Sequence, residues 1–110
     1  MRFMTLTAAA MLTACMGRPA LEAPPPMKVA VADLAIDTSA GRAALRRRVA
    51  VAARQFCATH GAEITPHESR ADPYYCPDMM RSEIMGSMTP DTRRAYALAR
   101  REAGIRGRNL

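Results

Sequence analysis

Tryptophan is absent from this sequence, and two phenylalanines and three tyrosines are its whole supply of aromatic rings. A core must therefore be assembled from Ala, Val, Leu, Ile and Met, and alanine packs closely while burying little area. A length of 110 residues leaves room for one small domain. Such a small core calls for covalent help. Also missing are a Cys-x-x-Cys pair, a Gly-rich phosphate loop, a Ser/His/Asp order and a spaced pair of carboxylates. Those gaps argue against an enzyme and against any cofactor. The basic run Arg46-Arg47-Arg48 has no aromatic residues interleaved with it. Nucleic-acid modules set stacking groups beside their charges, so nucleic acid is not an expected partner.

What is present begins with a leader. Met1-Arg2-Phe3 supplies one positive charge, and Met4 to Leu12 is an uncharged apolar run. The run is too short to span a bilayer, so residues 1–14 read as a signal peptide. Leu12-Thr13-Ala14-Cys15 follows with the spacing of a bacterial lipobox. The Cys15 thiol would take a diacylglyceryl group as a thioether, and small Ala14 would permit cleavage just before it. Acylation of the new amino terminus would complete a two-signal anchor. Two alternatives stay open: an ordinary cleaved leader, giving a soluble periplasmic or secreted protein, and a retained hydrophobic segment. Residues 15–27 read as a tether. Within it Pro24, Pro25 and Pro26 favour an extended polyproline II spacer.

The expected folded part, residues 28–104, is mainly helical. Lys28 to Val31 alternates weakly and predicts one short N-terminal strand. Asp37, Thr38 and Ser39 offer capping oxygens for a helix starting near Ala40. At 100° per residue, Gly41, Leu45, Val49, Ala52 and Phe56 share one stripe with Ala53 beside it. Arg47 and Arg54 lie opposite, and Arg42 and Arg48 flank the stripe. Gly61 is read as the cap ending this helix, and residues 62–75 as a loop. A second helix opens at Cys76-Pro77 and runs to about Met88, with Met80, Ile84 and Met88 in line with Cys76. Thr89-Pro90-Asp91 starts a third, which Gly104 ends. Residues 105–110 are expected to fray.

If Cys15 is lipidated, Cys57 and Cys76 remain as one pair, which an oxidising envelope would join. Closing that loop contributes roughly 3 kcal/mol in the chain-entropy picture. A reactive or metal-binding thiol pair is the alternative, without the usual close spacing to support it.

The pattern from Val29 to Asp37, then Ser39 to Leu45, then Arg47 to Cys57, resembles the UrcA family of small exported bacterial proteins. The join from Asp33-Leu34-x-Ile36-Asp37 to Ala40-Gly41-Arg42-Ala43-Ala44-Leu45 is its most specific part. The family's second half usually has a cysteine opening a helix, a place Cys76 would take. The resemblance implies an envelope protein, in a family named for a response to uranium stress, with no established activity and no assigned site residues.

Two ligand classes follow from the remaining residues. The formal charge of +6 becomes +5 once Arg2 leaves with the leader. That favours anionic surfaces such as anionic lipid or lipopolysaccharide, set against arginine serving as an ordinary solvated helix residue. His60, Glu63, His67, Glu68 and Asp72 are candidate metal ligands: carboxylates for an oxyphilic cation such as uranyl, imidazole for zinc or copper. Met79, Met80, Met85 and Met88 offer soft sulfur to copper, though Met80 and Met88 already have a place in the core stripe. The expected function is a non-enzymatic envelope lipoprotein facing the periplasm, membrane-anchored and touching anionic envelope components. The alternative is a periplasmic metal-binding module built on the His60–Asp72 loop or the methionines. A third possibility is an interaction subunit docking an apolar helix edge on a protein partner.

Overall fold

The computed structural model describes residues 27–110, so the leader, Cys15 and all of the tether but Met27 lie outside the described residues. Three helices form the domain: α1 (Ser39–Ile64), α2 (Tyr75–Gly86) and α3 (Pro90–Glu102), with one 3₁₀ turn at His67–Ser69. The mainly helical class holds, and the Cys57–Cys76 disulfide is formed with the two Cα atoms 5.9 Å apart.

Thr38 starts α1 in extended conformation, and its hydroxyl accepts from the Gly41 N–H at 3.0 Å. The buried stripe is Gly41, Leu45, Val49, Ala50 and Ala53. Phe56 and Ala52 lie at its edge, half-buried. Leu45 and Val49 meet Ile84 of α2 and Ala95 and Tyr96 of α3 in one cluster. Thr89 caps α3 by accepting from the Thr92 N–H, with Pro90 at the first turn, where no N–H is needed.

Four expectations need correction. No strand occurs among the described residues: the segment from Met27 to Thr38 is an irregular strap, with turns at residues 32–33 and 36–37, running antiparallel along α1. Its alternation is real, since Met27, Val29 and Val31 turn inward to the core. No second strand is there to pair with it, and the Ala30 carbonyl accepts from Arg48 Nη1 at 2.9 Å instead. Gly61 does not end α1, which continues to Ile64. Proline disfavours helical conformation in the residue before it, and Thr65, preceding Pro66, is extended at φ −85°, ψ 117°. Met85, placed off the core stripe by periodicity, packs against the core beside Met80 and Met88.

The fourth correction is the tail. Gly104 has φ 68°, and the Gly104 and Ile105 N–H groups donate to the Arg101 and Arg100 carbonyls at 3.0 and 2.9 Å. This helix-ending turn, in which glycine takes a left-handed conformation, sends the chain back on itself. Leu110 then packs against the core, and Arg108 pairs with Asp72 at 2.8 Å and with Asp78 at 3.2 Å. Residues 105–110 are bound down rather than frayed.

Candidate functional site: a basic groove beside the tether

The strap is held on α1 by arginines that periodicity placed at the flanks of the buried stripe. Arg48 makes a two-pronged pair with Asp33, at 2.7 and 2.6 Å. That pairing holds the Asp33 carboxyl down at about 2. Arg42 bonds the Asp37 carbonyl at 2.9 Å and reaches Glu102 of α3 at 2.5 Å, which keeps the Glu102 carboxyl below its ordinary value. The strap also explains a glycine. A Cβ at Gly41 would sit 1.9 Å from the Ala35 carbonyl oxygen, so the close passage of strap over helix requires glycine there.

Where the strap begins, it and α1 enclose an open groove of about 660 Å³, lined by Lys28, Val29, Ala30, Ala44, Arg47, Arg48, Val51, Ala52 and Gln55. Its floor is apolar, with Val51 about half exposed. Arg48 is committed to Asp33, whereas Arg47 is solvent-facing. Lys28, also exposed, follows directly on Met27, where the described residues begin. Basic side chains rimming an aliphatic floor suit a surface that is anionic above and apolar below.

The candidate metal ligands are not gathered. Among the described residues no three of His, Cys, Asp or Glu stand close enough to hold an ion. His60 Nδ1 lies 3.6 Å from Glu63 one turn along α1, and the imidazole rests against the Phe56 ring at 4.8 Å between centroids. His67 and Glu68 are exposed on the 3₁₀ turn. Asp72 is occupied by Arg108, which lowers its pKa, and by the Tyr74 N–H at 2.9 Å. Of the described methionines, only Met79 is largely exposed. Among the described residues, no helix is long and apolar enough to cross a membrane.

No family model, curated protein or solved structure matches the chain. The candidate surface therefore rests on its own chemistry. The sequence places the arginines but not the groove, because its second wall is a strap whose local pattern predicts a strand. The inward alternation of Met27, Val29 and Val31 was the available signal.

Proposed function

We propose that the protein is a non-enzymatic envelope lipoprotein, tethered through Cys15, that rests its basic groove on the phosphates of anionic envelope lipid. The observation carrying this reading is position. Lys28 and Arg47 flank exposed Val51 at the point where the tether joins the domain, so an anchored chain presents this face to the bilayer first. The lipobox spacing before Cys15 and the resemblance to the UrcA family support the envelope setting.

Co-sedimentation of the non-lipidated chain with phosphatidylglycerol vesicles tests the contact. Each basic residue at an anionic surface contributes about 1 kcal/mol. Replacing both Lys28 and Arg47 by Gln should therefore weaken binding by roughly thirty-fold, with phosphatidylcholine vesicles as the blank. Binding that ignores both the double substitution and added salt would remove the groove from the account. Intact mass of the membrane-fraction protein tests the tether: a diacylglyceryl-modified chain beginning at Cys15 is expected.

A further inference from the structure

Tyr96 is 4% exposed, and its hydroxyl proton has no acceptor, with the Arg81 guanidinium as a weak donor beside it. The Nε–H groups of Arg46 and Arg100 are likewise shut from solvent without an acceptor. These groups belong to one place. The guanidinium charges of Arg81, Arg100 and Arg46, one from each helix, all act on the Tyr96 hydroxyl. Arg81 Nη1 and Arg100 Nη2 donate to the same oxygen, the Asn109 carbonyl, at 3.2 and 3.0 Å. Arg100 Nη2 also donates to the Gly107 carbonyl at 2.5 Å. Among the described residues, no carboxylate lies within ion-pair distance of Arg46 or Arg100.

The excess of buried donors and positive charge therefore lies with Arg46 and Arg100, of which Arg100 meets only two neutral carbonyl oxygens from the tail, while Arg81 is also paired with the Asp78 carboxylate. A guanidinium fork and a hydroxyl are matched in geometry and charge by a compact anion with several oxygens. The tail that covers the cluster is itself held by Arg108, on Asp72 and on Asp78, the carboxylate that also pairs with Arg81. We propose that Arg46, Arg81, Arg100 and Tyr96 form a binding site for a small oxyanion of the phosphate class, with residues 105–110 as its displaceable cover. The Gly107 and Asn109 carbonyls occupy the places of two oxyanion oxygens in the covered state. This site is separate from the basic groove: at 100° per residue, Arg46 lies about 140–200° around α1 from Ala44, Arg48, Val51 and Gln55.

The test is calorimetric titration of the full chain with inorganic phosphate at constant ionic strength, with chloride as the blank. One saturable site is expected, weakened at least ten-fold by Arg100→Gln and by the milder Tyr96→Phe. Arg108→Ala, which frees the cover, should tighten phosphate binding several-fold, a direction that a merely structural role for the tail would not produce. Phosphate should also raise the pH at which one tyrosine ionises in ultraviolet titration, an effect missing from Tyr96→Phe. Arg47→Gln should leave phosphate binding unchanged, and Arg100→Gln should leave vesicle binding unchanged. The proposal is overturned by the absence of saturable binding in both the native chain and Arg108→Ala, or by Arg108→Ala weakening binding as Arg100→Gln does. Loss of vesicle binding in Arg100→Gln would overturn it too, by assigning the cluster to lipid.

Discussion

Two glycines of α1 have opposite meanings, and substitution separates them. At Gly41 an added Cβ would collide with the Ala35 carbonyl oxygen. Gly41→Ala should cost about 1–3 kcal/mol, as for other overpacked sites, despite alanine's better helix propensity. At Gly61 the same Cβ would meet Cys76 Sγ and Cys57 Cβ at 3.7 and 3.8 Å, ordinary contact distances. Gly61→Ala should therefore stabilise by about 0.5–1 kcal/mol. Urea midpoints of the two variants check both signs, and destabilisation by Gly61→Ala would mean that the helix end is strained. Position alone suggests the reverse for Gly61, a helix-ending glycine. The local signal that ends α1 was Pro66, acting on Thr65 through the steric bias of a pre-proline residue.

At the scale of elements, the two covalent and ionic fastenings act on different parts. The disulfide ties the last turns of α1 to the first turn of α2 across 19 residues. Its removal by Cys57→Ser with Cys76→Ser should lower stability by roughly 3 kcal/mol. A denaturation curve unmoved by the double substitution would show that the intervening segment is already restrained in the unfolded chain. The elements themselves were readable because each carries its own punctuation: Thr38 before α1, Thr89-Pro90 before α3, and Gly104 after it. The strap and tail are not legible in this way, because neither has a regular backbone partner. Their order comes from Arg48 and Arg108, which reach Asp33 and Asp72 across 15 and 36 residues of sequence, and from Arg42, which holds the Asp37 carbonyl while its pair with Glu102 spans 60 residues to α3.

For the whole molecule, those long-range pairs make the edges sensitive to acid. Asp33, Glu102 and Asp72 each have a folded-state pKa held down by an arginine. A depressed carboxylate contributes stability above its unfolded value, near pH 4, and that contribution is lost as pH falls through the folded value. For Asp33 the loss extends down to about 2. Between about pH 4 and 2 the strap and tail should loosen first, seen as faster amide exchange in residues 28–37 and 105–110 while far-UV ellipticity persists. Simultaneous loss of ellipticity would show that the ion pairs hold the helices as well as the edges. The same loosening would uncover the cluster around Tyr96 and dismantle the wall of the basic groove.

By itself the sequence determined the helices, their starts and most of the buried stripe. Capping, prolines and periodicity act within a few residues, and Leu45, Val49 and Ile84 leave one apolar solution. Only the tertiary structure decided what the arginines do. Periodicity can place Arg46, Arg47 and Arg48 around a helix, but not say which will find a carboxylate. Arg48 meets Asp33 on the strap, Arg47 faces solvent at the groove, and Arg46 is enclosed without an acceptor for its Nε–H. Those outcomes depend on where distant segments pass over the helix surface, and no local pattern encodes that.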